Sequence, residues 1–210
     1  MTDQPSLTRG ERTRREILDA ARTLFLAQGY SATGMRQIAR SAGITPAAIY
    51  NHFASKDDLF TSLLRREAPF EQLLVLWSDS QAGTAKELLE RVFRGCVDLF
   101  SAHQGYIRLA LIDAQEREGA AITTFVPQLA QGAMGFYQRM VALDEAQGQL
   151  RPMPPFVFLR ALVSLIGGYV LMDRLARPSE TLQLPSIDWA QELTDVFLHG
   201  VLNPPAASES

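Results

Sequence analysis

The sequence predicts an all-α protein. Three observations carry that expectation. Apolar residues recur at helical spacing through most of the 210 residues. No stretch sustains period-two alternation of β-branched residues, and there is no Asn-Gly or Asp-Gly hairpin dipeptide. Helix starts and stops are marked by capping residues, Gly and Pro rather than by strand-type turns.

The first helix opens at Thr8-Arg9-Gly10-Glu11, a capping box in which a hydroxyl and a carboxylate satisfy orphan amides at the helix start. It runs from Arg12 to Gln28, with Ile17, Ala21, Leu24, Phe25 and Gln28 on one face, and Gly29 is placed as its stop. Thr33 opens a second helix from Met35 to Ser41 with Ile38, Ala39 and Ala42 inward. Gly43 can leave that helix at positive φ. Thr45 then caps a short helix that has Pro46 at its first position, where a missing N–H costs nothing. Ile49 and Phe53, four apart, share its inner face. Thr45, Ala47, Ala48, Tyr50 and His52 are left for other surfaces. Two short helices joined by Ala42-Gly43-Ile44-Thr45 match a helix-turn-helix, whose second helix enters the DNA major groove.

Ser55-Lys56-Asp57-Asp58 caps a fourth helix, with both carboxylates in the first turn where the helix dipole favours anions. This helix is expected to continue to Trp77 with a kink at Pro69. Ser78 to Gly83 reads as a loop, and Thr84 to Ser101 as an amphipathic helix with Leu88, Leu89, Val92, Cys96, Leu99 and Phe100 inward. Gln104-Gly105 is read as a break. Helices follow over Tyr106 to Arg117, Ala120 to Gln147 with a bend near Pro127, Phe156 to Ala176, and Ile187 to Leu202. Gly148 to Pro155 is a Pro-rich loop. Met1 to Leu7 and 203–210 are expected to be flexible.

The segment from Gly29-Tyr30 to Leu59 resembles the DNA-binding signature of the TetR family of transcriptional regulators. The matching residues are Gly29-Tyr30, Thr33, Ile38-Ala39, Ala42-Gly43-Ile44, Tyr50, His52-Phe53, Lys56 and Leu59. More weakly, Leu193 to Leu202 is similar to the family's last helix. Two positions depart from the pattern. Gly34 stands where a hydroxyl residue is common, and Pro46 where a basic or polar one is. The resemblance implies a helix-turn-helix domain over 1–54, an effector-binding and dimerisation domain over 55–202, and a tail over 203–210. It also implies a ligand-responsive repressor that binds a palindromic operator as a homodimer.

Composition agrees. The net charge of −3 hides an asymmetry: residues 1–66 hold 10 Lys/Arg against 6 Asp/Glu (+4), and 67–210 hold 10 against 17 (−7). A basic module on an acidic body fits a polyanion partner held at one end, although ordinary solvated charge gives the same count. The single cysteine, Cys96, excludes an internal disulfide framework. The N-terminus is polar through Arg15, without a signal-peptide pattern. The longest apolar run, Phe156 to Met172, is broken by Arg160 and Gly167-Gly168, so a buried helix is the better reading than a membrane span. A soluble cytoplasmic protein is expected.

For DNA, the candidate contacts are Thr33, Arg36, Thr45, Pro46, Ala47, Tyr50, His52 and Lys56. Tyr50 offers a hydroxyl to phosphate, with its ring beside Pro46. Lys56 offers an ammonium next to the amides of a helix start. Thr33 is assigned a phosphate while it caps its helix, and Arg36 a base edge or a phosphate. Methyl groups of Thr45 and Ala47 suit a thymine methyl. For His52 only the motif distinguishes a phosphate contact from an ordinary surface histidine. Arg9, Arg12, Arg14 and Arg15 form a basic start suited to the DNA backbone or minor groove.

The resemblance places an effector pocket among the later helices. Its candidate lining is Trp77, Phe93, Arg94, Phe100, His103, Arg108, Phe136, Tyr137, Tyr169 and Asp173, suited to an apolar or aromatic effector. The Phe156–Val170 helix is apolar on more than one face, so it must be covered on several sides. Ser164, Gly167 and Gly168 allow another helix to approach. With Val196 and Phe197 they are the candidate dimer interface, against the alternative of a central helix in a monomer. No cofactor or metal is expected. An enzyme finds no support: His52, His103 and His199 are far apart, and no nucleophile elbow, phosphate loop or metal-spaced pair occurs. A helical interaction protein that does not read DNA is the third class.

Overall fold

The computed structural model describes residues 8–78, 82–144, 148, 150–175 and 188–201. Among these, every regular element is a helix: α1 Arg9–Gln28, α2 Met35–Ser41, α3 Lys56–Glu67, α4 Phe70–Trp77, α5 Ala85–Ala102, α6 Gln104–Glu116, α7 Val126–Asp144, α8 Pro155–Leu175 and α9 Trp189–Val201, with 3-10 turns at Ala48–Asn51 and Ile122–Phe125. The expected all-α architecture is the one observed. The flexible ends expected at Met1–Leu7 and 203–210 lie outside the described residues.

The chain folds as two compact units, Met1–Ala68 with His103–Val126, and Pro69–Ala102 with Pro127–Ser210. The division therefore differs from 1–54 against 55–202: α3 and α6 belong with the helix-turn-helix. In the first unit Thr8 accepts from the Glu11 amide at 3.3 Å and the Glu11 carboxylate accepts from the Thr8 amide at 2.8 Å, so the capping box forms. Ile17, Ala21, Phe25, Ile38, Ile49, Phe53, Leu59, Phe60 and Leu63 are buried together. Phe25, Tyr30 and Phe60 pack with ring centroids 5.0–5.7 Å apart. Arg22–Glu67 and Arg66–Asp19, each at 2.8 Å, tie α1 to α3.

Three expected boundaries move for physical reasons. Pro69 ends α3 rather than kinking it, because the residue before a proline is driven extended and Ala68 sits at ψ 131°. Gln104-Gly105 lies inside α6; a Cβ on Gly105 would stand 2.6 Å from Arg22 Nη2, so this glycine makes room for the Arg22–Glu67 pair rather than breaking a helix. Pro127 occupies the first turn of α7, where it needs no bend.

In the second unit α5 packs on α4, α8 and α9. An aromatic cluster fills the space between: Phe158 lies 5.5 Å from Phe197, 5.5 Å from Tyr137 and 6.3 Å from Phe136, and Phe93 lies 6.1 Å from Phe197. Pro155–Met172 is long and apolar enough to cross a membrane by length and composition. Yet Phe158, Leu162, Ile166 and Val170, one turn apart, are buried in the helical body. The opposite face of α8 stays open.

Phe60→Ala is expected to destabilise the protein by about 3–5 kcal/mol, because it empties the centre of the first unit's aromatic cluster. Urea unfolding followed by circular dichroism measures this.

Candidate nucleic-acid interface

α2 ends in a Schellman turn. The Ile44 amide donates to the Ala39 carbonyl at 3.0 Å, the Gly43 amide to Arg40 at 3.2 Å, and Gly43 takes φ +70°. Thr45 follows as the expected cap, with its Oγ1 and carbonyl accepting from the Ala48 amide at 3.2 and 3.0 Å. The helical segment itself is shorter and tighter than a helix beginning at Pro46. Pro46-Ala47 forms the turn and a single 3-10 turn covers Ala48–Asn51. Its two sides are chemically distinct. Ile49 and Phe53 are sealed inside, while Thr45, Pro46, Ala47, Tyr50 and Asn51 are exposed, Tyr50 at 57%. Arg36 and Arg40 of α2 are exposed as well.

Beneath this surface lies a network that the sequence does not announce. Lys56 Nζ donates to the carbonyls of Tyr30 and Thr33, each at 3.0 Å, and sits 4.1 Å from the centre of the Tyr30 ring. On the same ring the Arg117 guanidinium lies at 4.9 Å. The Tyr30 hydroxyl donates to Asp57 at 2.9 Å, and Arg117 donates to the same oxygen at 2.8 Å. Arg117 also pairs with the fully buried Asp113 at 2.6 Å. Asp113 in turn accepts from the Ala121 and Ile122 amides, capping the 3-10 turn at Ile122–Phe125. Glu116 accepts from the Ser31 amide at 2.7 Å and the Tyr30 amide at 3.2 Å. Hydrogen bonds from Arg117 and Tyr30 hold the Asp57 carboxyl below its usual range, and those from Ser31 and Tyr30 do the same for Glu116. Burial, reinforced by Asp57, pushes the Tyr30 phenol up.

Two of the expected phosphate contacts have partners within the chain. Thr33 is buried, and its hydroxyl donates to the Gly29 carbonyl at 2.7 Å while accepting from Gln28. It does not cap α2, whose N-cap is Gly34 with no side-chain bond. Lys56 directs two of its three N–H groups at its own backbone. The basic N-terminal residues Arg9, Arg12, Arg14 and Arg15 are all exposed, and Arg14 also stacks 4.5 Å over Phe53 and donates to Ser62. His52 is half-buried at the end of the 3-10 turn. Asn51 and Arg40, which the sequence motif does not single out, are also exposed, on the 3-10 turn and on α2. Counting residues along a 3-10 rather than an α-helical turn would have found Asn51.

The expected effector residues have different surroundings. Phe93, Phe136 and Tyr137 belong to the aromatic cluster, and the Tyr137 hydroxyl donates to the Met153 carbonyl. Arg94 is exposed and pairs with Gln191 and Asp188. Arg108 is exposed in the first unit and donates to the Leu26 carbonyl at 2.8 Å. Phe100, His103 and Tyr169 are half-buried, and the Asp173 side chain lies outside the described residues. Trp77 is buried, and among the described residues its indole Nε1 is the buried side-chain polar atom without a hydrogen-bond partner. Of the interface candidates, Ser164, Gly167, Gly168 and Val196 are exposed, whereas Phe197 is buried between Phe93 and Phe158 of the same chain.

A helix-turn-helix whose last turn buries one side and exposes the other, joined to a larger helical unit, defines a class: the helix-turn-helix regulators. Residues 17–63 match the family described as bacterial regulatory proteins, tetR family. The chain is similar to the regulator AcrR of Shigella flexneri, 49% identical over 53 residues that make up 25% of each chain. It is 24% identical to the repressor BepR of Brucella suis over 75% of this chain and 78% of that one. Among solved structures, NalD of Pseudomonas aeruginosa, the secondary repressor of the MexAB-OprM multidrug efflux pump, superposes with a TM-score of 0.67 at 28% identity, covering 92% of this chain and 98% of NalD. Residues 17–63 therefore form a domain of the tetR family. The AcrR match spans only a quarter of that protein's length.

Two outcomes follow from the network. Lys56→Ala is expected to lower the thermal midpoint, since it strands the Tyr30 and Thr33 carbonyls at about 1–3 kcal/mol. The depressed Asp57 and Glu116 carboxyls contribute stability that is present above the ordinary carboxylate range and lost as pH falls through their lower folded values. The thermal midpoint is therefore expected to stay level from about pH 7 to 5 and to drop below about pH 4, as scanning calorimetry across pH will register.

Proposed function

We propose that this chain is a cytoplasmic transcriptional repressor that binds a palindromic operator as a homodimer and is released by a small, largely apolar effector. The observation that carries the reading is the two-sided turn at Ala48–Asn51. Its sealed Ile49 and Phe53 hold Thr45, Ala47, Tyr50 and Asn51 outward on one surface with Arg36 and Arg40. Methyl groups at 45 and 47 suit thymine, the Asn51 amide suits the N6/N7 edge of adenine, and the Tyr50 hydroxyl and the arginines suit phosphate. One such turn covers few base pairs. Two copies spaced by about 34 Å, one helical turn of DNA, supply useful affinity.

The second copy is supported by α8. Phe156, Val157, Val163 and Met172 are exposed, at 79%, 56%, 62% and 55%, together with Ser164, Gly167 and Gly168. On α9, Val196 is 63% exposed. An apolar stripe of this length on a helix already buried along its other side fits a helix pair from a partner subunit. For the effector, the phenylalanine-rich interior of the second unit favours an apolar molecule, and the buried Trp77 N–H, which has no oxygen or nitrogen acceptor, favours one carrying a hydrogen-bond acceptor. The neighbouring Cys96 thiol, pushed up to about 12 by burial, stays neutral and is a weak acceptor. NalD, a repressor of a multidrug efflux pump, is consistent with control of genes that handle such molecules.

Selection of bound sites from random duplex DNA tests the reading: a palindromic consensus is expected, and recovery of unrelated sequences with no common motif rejects it. Tyr50→Phe is expected to weaken binding to the selected site by about tenfold, one hydrogen bond to a charged group, at an unchanged thermal midpoint. Gly167→Leu is expected to convert the dimer to monomer in sedimentation without loss of helix. Leucine favours a helix over glycine by about 0.5–1 kcal/mol, and a Cβ at 167 meets nothing within 4 Å in its own subunit.

A further inference from the structure

Glu116 and Arg117 close α6, 86 and 60 positions along the chain from the groups they hold on the α1–α2 loop and α3. Neither lies in α2 or in the reading turn. Glu116 takes two successive backbone amides, Tyr30 and Ser31, at 3.2 and 2.7 Å. A carboxylate that accepts two neighbouring N–H groups fixes the position of that backbone and also its direction. Arg117, with its side chain only 5% exposed, pins Tyr30 from above and reaches Asp57 at the start of α3. The loop held this way, Gly29 to Thr33, is the entry to α2. The exit of α2 is the Schellman turn that delivers the recognition turn.

The geometry points to Glu116 and Arg117 as a positioning pair for DNA reading: by clamping the Gly29–Thr33 loop they set how α2 and the Ala48–Asn51 turn are seated, without touching DNA. This inference rests on the DNA-reading proposal above. The closeness of the clamp is visible at Gly29. Its φ is +83°, and a Cβ there would stand 2.6 Å from Glu116 Oε1, so the backbone approaches the carboxylate nearer than a side chain allows. From inside, the Thr33 hydroxyl and Lys56 Nζ secure the same five residues. The amides that hold Glu116 also favour its charged form, the form that accepts both bonds.

Electrostatics gives the test an unambiguous sign. Deleting a carboxylate from a DNA-binding protein ordinarily raises its affinity for the polyanion. The clamp predicts the reverse. Operator affinity of full-length Glu116→Gln is compared with that of the unaltered chain and of Glu16→Gln, the same charge change at an exposed position on α1. Glu116→Gln is expected to bind the selected operator about tenfold more weakly, as one charged hydrogen bond is lost, with faster hydrogen exchange at the Tyr30 and Ser31 amides. Glu16→Gln is expected to bind as well as the unaltered chain or better. Glu116→Asp, which keeps the charge on a shorter arm, is expected to fall between. Glu116→Gln binding as tightly as the unaltered chain, with both amides still protected, overturns the inference. If Glu116→Gln melts before the assay, full affinity of Glu116→Asp overturns it equally. If the unaltered chain selects no DNA site, the DNA-reading proposal falls and this one with it; a selecting chain indifferent to position 116 sinks this one alone.

Discussion

The head of this protein depends on burying one side of a turn too short to stand alone. Starting a helix costs about 4 kcal/mol, the free-energy equivalent of a nucleation constant near 10⁻³. Four residues of 3-10 geometry return little of that. Burying Ile49 and Phe53 contributes about 1.5–3 kcal/mol each, the same magnitude as the deficit. The outward groups, Thr45, Ala47, Tyr50 and Asn51, therefore hold their places only because the inward pair is sealed against the first unit. The Schellman turn at Gly43 and the Thr45 cap fix where the turn begins; they could not hold it without that socket.

Charge in this head divides into two populations that the sequence does not distinguish. Lys56 and Arg117 are drawn inward to carbonyls, carboxylates and the Tyr30 ring. A desolvated ammonium or guanidinium must find such partners, and once found they compete with phosphate. Arg9, Arg12, Arg15, Arg36 and Arg40 remain outward. Counting the net positive charge of residues 1–66 as DNA-facing overstates it, because part of that charge is structural.

What was legible in the chain is what is local. Thr8 with Glu11, Gly29, Gly43, Thr45 and Ser55 each sit within four residues of the groups they cap, and each does in the structure what its chemistry announces. What was hidden is joined across long separations or depends on a neighbour. Glu116 and Arg117 carry no local motif; only the fold brings them to the α1–α2 loop. Gly105 looks like a breaker until Arg22 is seen beside it. Phe197 reads as an interface residue on an apolar helix until Phe93 and Phe158 enclose it. Thr33 is a local exception: a hydroxyl near a helix start suggests capping, but it donates to the Gly29 carbonyl four residues back.

α8 presents the remaining conflict between local preference and global structure. Each glycine in a helix costs about 0.5–1 kcal/mol relative to alanine, and α8 holds two in succession. Close approach within a subunit can require a glycine, as Gly95 shows, where a Cβ would stand 2.7 Å from the Leu76 side chain. At Gly167 and Gly168 a Cβ meets nothing within 4 Å. Packing inside the subunit therefore gives no reason for the pair among the described residues. They lie on the face that leaves Phe156, Val163 and Met172 in water, a further cost that burial along the opposite face does not relieve. Both costs fall together when another helix crosses at the glycines and covers the apolar residues on either side. In the proposed homodimer such a contact fixes the distance between the two DNA-reading turns.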